Sequence, residues 1–290
     1  MMDEAMHRAQ DVVYGQDRAA LMRKAPGLAR IRAAVSESSC TVLDQSVWKR
    51  TELGPVLDLL STEGSTQRVY IDVPIAAVVG LTHRNFSKAM TWRGMLQDLH
   101  GFGWDERVID YCESEIGHQS FPAPEAAYEL KLAAYGGAVT CTNGVHRLVA
   151  AVNWLGATQG EHAVLRKVSV WYRPTDASLV SALRALELQG ARLRLGCARD
   201  DAGIRRMWFI ESTTAHRVSY FHVTPGRCSP IQVGSRWVAK ARAWAGLEAD
   251  AVHFVSEWFD IPPTVLDTLA HDAWIDSQIR APRYGALLTE

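Results

Sequence analysis

The stretch TCTNGVHRLVAA, residues 140–151, constrains this chain more than any other. Thr140, Cys141 and Thr142 close a run of small, strand-prone residues. Asn143 and Gly144 suit a tight turn, because both tolerate the left-handed backbone region. His146 and Arg147 stand where a helix should begin. Leu148, Ala151, Val152 and Leu155 then recur at i, i+3, i+4 and i+7, an amphipathic stripe, with Gly156 placed as a C-cap. A strand, turn and helix of this kind can aim an imidazole and a guanidinium at one point. Beside the N–H groups that open a helix, that is the chemistry of a phosphate site.

The remainder of the chain limits the setting. With 48% hydrophobic and 22% charged residues it has an ordinary globular composition. Its 290 residues suffice for a sizeable core, in two domains or one elaborated one. A formal net charge of −1 argues against a dedicated nucleic-acid binder. The opening MMDEAMHRAQ lacks an apolar signal core, and the apolar run VPIAAVVGL is far too short to span a bilayer, so a cytoplasmic protein without a membrane partner is expected. The 5 cysteines are widely spaced with no C-x-x-C, which fits reduced thiols better than a disulfide frame or a zinc ribbon. No metal site is expected from the side chains. The 10 tryptophans are read mainly as packing residues.

Element by element, residues 3–34 read as helix, with Pro26 dividing the run, and residues 45–60 as a second helix. RVYIDVPI, residues 68–75, is β-branched and reads as a strand. Helical stretches follow at 88–99 and 105–116. Residues 128–134 and 137–142 form two strands about Gly136–Gly137, a hairpin signal. KVSVWYRP, residues 167–174, is a further strand. Residues 176–188 read as a helix capped near Asp176. Four strands follow, with turns at 200–203 and at Pro225–Gly226; residues 236–258 and 263–275 return to helix, and the last ten residues read as a loose tail. Mixed strands and helices in this order imply an α/β or α+β fold.

Charge is unevenly distributed. Residues 190–242 carry ten Arg or Lys against three Asp or Glu, whereas residues 250–290 carry two against seven. The basic stretch could meet phosphates or nucleic acid, but docking against the acidic C-terminal region is the better reading. Residues 254–274 have a faint helix-turn-helix look, yet the second helix carries Asp267 and Asp272 and no Arg or Lys, so two packed helices are expected. His216 and His222 share one expected strand but are too far apart to hold a metal together.

The run TNGVHRLVAAVNWLGA, preceded by AVTC and followed by KVSVWYRP, resembles the signature of the ParB/sulfiredoxin superfamily. Gly144, His146, Arg147, Ala150, Ala151, Leu155 and Gly156 fill its positions, over about fifty residues from Tyr128 to Pro174. The resemblance implies a ParB/sulfiredoxin-like nucleotide-binding domain at 66–175, with a helical N-terminal extension at 1–65 and a C-terminal α+β region at 176–290. It implies ATP or another nucleotide as ligand, with Mg²⁺ inferred from phosphate chemistry. Thr142, Asn143, Gly144, His146 and Arg147 would bind the nucleotide, joined by Arg84 from an upstream loop with Asn85 nearby. Arg147 would grip phosphate and His146 would contact it or move a proton.

Departures narrow the chemistry. Sulfiredoxin-like members place a nucleophilic cysteine directly before the histidine; here Val145 occupies that position, and Cys141 reads as a small buried residue. The box is nearest in look to the free serine kinases, which also need a carboxylate base; Asp72 and Asp98 qualify by position only. The expected activity is phosphoryl transfer to a small-molecule acceptor, or nucleotide hydrolysis. A DNA-associated, partition-like switch and a scaffold that has lost its ligand are the alternatives.

Overall fold

The computed structural model describes residues 25–62, 66–82, 86, 91–101, 103–117, 119–123, 126, 129–199, 206–233, 252, 255, 257–285 and 288–289. Its helices are α1 (Pro26–Glu37), α2 (Arg50–Leu60), α3 (Trp92–Asp98), α4 (Arg107–Glu113), α5 (Val145–Gln159), α6 (Ala177–Glu187), α7 (Pro263–Ala270) and α8 (Ala273–Arg280). Its strands are β1 (Trp48–Lys49), β2 (Gln67–Pro74), β3 (Val78–Leu81), β4 (Lys131–Tyr135), β5 (Ala138–Asn143), β6 (Val164–Arg173), β7 (Arg192–Arg199), β8 (Arg206–Thr213), β9 (Val218–Thr224), β10 (Arg227–Ile231), β11 (Trp258–Ile261) and β12 (Leu288–Thr289). The class is α+β.

Seven strands form one mixed sheet in the order β1-β3-β5-β4-β6-β2-β12. The β4–β5 hairpin turns at Gly136–Gly137 as the sequence implies, and β4 then pairs in parallel with β6 across the connection made by α5. Strand β4 is apolar on both faces because both are covered. Leu132 and Ala134 enter one core, with α1, α3, α4 and α5; Ala133 and Tyr135 enter a second, with α2, α6 and α7. The second sheet is antiparallel, in the order β10-β9-β8-β7-β11, and Leu193, Leu195 and Ile210 carry it into the second core. Strand β1 comes from the N-terminal stretch and β12 from the C-terminal one, so all three stretches contribute to the larger sheet.

Helix α5 lies at the centre. From Val145 to Gly156 every residue except His146 is buried, which corrects the amphipathic expectation. Helices α1, α3 and α4 cover the side that a two-layer domain would leave to water. The buried Asn153 amide donates to Trp92 O (2.9 Å) and Val149 O (2.8 Å), tying α3 to α5. Gly156 is not the cap. The helix runs on to Gln159 and ends at Gly160, φ +81°. A Cβ on Gly156 would come within 2.7 Å of Leu43 Cδ2, so this glycine serves close packing.

The remaining expectations meet different outcomes. Residues 1–24, most of 234–256 and residues 200–205, which include the turn expected at 200–203, lie outside the described residues. Pro26 starts α1 at its first turn, where a missing N–H does no harm. Residues 45–49 are not helical; a short 3-10 turn (Thr41–Asp44) and β1 precede α2. The helix expected at 236–258 does not reach its final residue. Trp258–Ile261 is strand β11, paired with β7, so no helix-turn-helix occupies 258–274. His216 precedes β9 rather than sharing a strand with His222.

The C-terminal residues are not a loose tail. The Asp72 carboxylate accepts from Lys167 N (3.0 Å), Arg283 Nη1 (2.9 Å) and Tyr284 Oη (2.6 Å). Gln278 brackets the Asp72 main chain with two bonds of 2.8 Å. Lys167 is at φ 51°, beside the register shift between Ile71 and Val73. The α7–α8 junction packs as closely on the hairpin turn. A Cβ on Gly137 would fall inside the van der Waals shells of Thr268 O and His271 O. Gly137→Ala is therefore expected to destabilise the fold by about 1–3 kcal/mol or more. The reading is a lower urea midpoint at unchanged slope; an unchanged midpoint would contradict the tight junction.

Candidate functional site

Strand β5 ends at Asn143, and Gly144 reverses the chain with φ +86° as the N-cap of α5. No side chain caps this end, and its first turn holds no acidic residue. Leu148 N donates to Gly144 O (3.0 Å), closing the first turn. The preceding N–H groups are those that open a helix to an anion.

Arg147 folds back beneath the turn. It is 8% exposed, and a Cβ on Gly144 would lie 3.0 Å from its Nη2 and 3.1 Å from its Nε. The guanidinium carbon stands 5.8 Å from the centre of the Phe121 ring, a cation–π contact. Phe121 also meets Tyr111 edge-on at 4.9 Å. Burial pushes the Tyr111 phenol up to about 12, and the positive charge of Arg147 offsets part of that rise. Gly144, Arg147, Phe121 and Tyr111 thus form one constellation.

His146, one position earlier on the helix, has other neighbours. Its ring packs edge-on against Phe86 (5.3 Å) and against the exposed His100 (4.9 Å), just past the end of α3. The imidazole and the guanidinium share the first turn of α5 but contact different groups. Thr142 and Asn143 are engaged in holding the turn: Thr142 Oγ1 donates to Lys131 O (3.0 Å) and Asn143 Nδ2 to Glu129 O (2.8 Å). Arg84 and Asn85 lie outside the described residues. Cys141 is wholly buried, its thiol pushed up to about 12 by burial, as an inert packing residue would be.

Of the expected carboxylates, Asp72 is committed to the C-terminal residues, and Asp98 is exposed at the end of α3. The acid that touches the turn is Glu129, which sequence reasoning missed. Its main-chain carbonyl takes the Asn143 amide, while its side chain accepts from Arg68 and from Tyr70 Oη (3.0 Å). Lys131 Nζ stands 3.9 Å away. Tyr111, Phe121 and His100 were missed for the same reason: no local pattern links them to the box. No family model matches the sequence, and comparison with curated proteins and with solved structures gave no significant match.

Gly144→Ala tests the turn. An L side chain in this conformation costs about 1–2 kcal/mol, and the added methyl presses on the Arg147 guanidinium. The variant is expected to unfold at lower urea by at least that amount; wild-type stability would show that the turn relaxes without strain.

Proposed function

We propose that this chain binds a nucleotide through its phosphates at the start of α5, and that its reaction is phosphoryl transfer to a small molecule or nucleotide hydrolysis. The observation that carries this reading is the Gly144–Arg147 arrangement. An uncapped helix end of fifteen residues opens at a left-handed glycine, with a guanidinium seated against that glycine. Backbone N–H groups and a planar fork together suit phosphate oxygens. The resemblance of TNGVHRLVAAVNWLGA to the ParB/sulfiredoxin superfamily points the same way and favours a small-molecule kinase like the free serine kinases.

Within this reading, Arg147 neutralises charge on the phosphates. His146, steadied by Phe86 and His100, contacts the ligand or moves a proton. Asn143 and Thr142 keep the loop in shape through the carbonyls of Glu129 and Lys131 rather than touching the ligand with their donors. Among the described residues no three His, Cys, Asp or Glu side chains converge. A Mg²⁺ ion accompanying the nucleotide would take its ligands mainly from phosphate oxygens and water.

The nucleic-acid alternative gains less support. In the basic stretch, Arg192 pairs with Asp260 (2.9 Å) and Arg194 with Glu211 (2.9 Å from Nε). Part of that charge is met inside the protein. Among the described residues no helix is long and apolar enough to cross a membrane.

Calorimetric titration with ATP, ADP and CTP tests the reading. At least one should bind, and Arg147→Lys, which keeps the charge but loses the fork, should weaken it about tenfold or more. Arg147→Ala should weaken it further. Failure of all three nucleotides to bind the wild-type chain would overturn the reading; binding untouched by either substitution would overturn the site.

A further inference from the structure

Among the described residues several buried polar atoms lack a hydrogen-bond partner, and one of them, the Tyr111 hydroxyl, lies beside the candidate site. Tyr111, on α4, is 3% exposed, and its hydroxyl oxygen has no hydrogen-bond partner of ordinary geometry. Buried polar groups are nearly always paired, and a phenylalanine would fill the same space without the loss. The charged group nearest in effect is Arg147. A guanidinium has donors only. It acts on the phenol oxygen as a charge and as a hydrogen-bond donor, but it cannot accept the phenol's own hydrogen. Glu129 also acts on Tyr111 through its charge, but its carboxylate accepts from Arg68 and Tyr70 instead. The Tyr111 O–H is therefore left without an acceptor, and the charged side chain beside it is a cation.

We propose that Tyr111 is a binding residue of the anion site, its O–H donating to an oxygen of the same phosphate-class ligand that Arg147 holds. This rests on the nucleotide reading above and adds to it a donor from α4, well upstream of Arg147 and outside the sequence box. A neutral donor paired with a cation suits a phosphate oxygen: the cation supplies charge, and the phenol supplies direction. The hydroxyl is buried, and Phe121 forms part of its cover, in contact with both Tyr111 and Arg147. The ligand reaches the hydroxyl by displacing Phe121.

Tyr111→Phe is the test, because it removes one oxygen and preserves the ring. Urea unfolding and calorimetric binding of ATP, ADP and CTP are measured on the full chain. Inorganic pyrophosphate serves as a probe that carries phosphates and no base. The expected result has opposite signs: stability equal to wild type or higher, and binding weakened about tenfold. Pyrophosphate should lose as much as the nucleotides. In wild type, the phenolic Cζ signal of ring-labelled tyrosine should move when the ligand is added. Wild-type affinity in Tyr111→Phe, with Arg147→Lys still impaired, would overturn this inference alone and leave the nucleotide reading intact; an internal water would then be what satisfies the hydroxyl. Binding of no probe by the wild-type chain would overturn both.

Discussion

The backbone of Gly144 holds this architecture together at its most demanding point. At φ +86° it turns the chain from the end of β5 directly into α5, with no intervening loop. That abrupt turn places α5 against the sheet, where its sides are then covered by α1, α3 and α4. Arg147 is packed back against the glycine that precedes it. A residue with a Cβ would oppose both the backbone angle and the position of the guanidinium. The conformation that starts the helix and the seat of its buried cation are therefore one constraint.

Burying polar groups usually needs a compensating partner, and this core contains several that differ in kind. The Asn153 amide donates to Trp92 O and Val149 O and ties two helices, so its donor side is plainly structural. The Arg194–Glu211 pair, with Glu211 8% exposed, joins neighbouring strands β7 and β8. Arg147 and Tyr111 join α5 to α4 through each other and through the Phe121 ring, beside a helix end that no side chain caps.

The sequence announces features whose cause is local. The Gly136–Gly137 hairpin, the Pro225–Gly226 turn, the Asp176 cap with its bond to Leu179 N (3.0 Å), and the Gly144 turn all rest on residues within a few positions of one another. What stayed hidden was imposed from a distance. The apolar stripe of α5 could not reveal that helices from elsewhere in the chain would cover its other sides. Gly156 looks like a cap until Leu43 is known to lie against it. Trp258–Ile261 extends because it completes the edge of a sheet beside β7. The site divides in the same way. Gly144, His146 and Arg147 are legible because they are consecutive or nearly so, whereas Tyr111, Phe121, Glu129 and His100 join them only through tertiary packing.

The anchoring of Asp72 has a consequence for the order in which the fold can be assembled. Its carboxylate meets Arg283 and Tyr284, 211 and 212 positions later, and its main chain meets Gln278, 206 positions later. Strand β2 emerges from the ribosome long before those residues exist. Contacts of such separation form late and slow the search for the native state. Until then only Lys167 N, 95 positions on, is there to meet the Asp72 carboxylate, and the outer edge of β2 waits for β12.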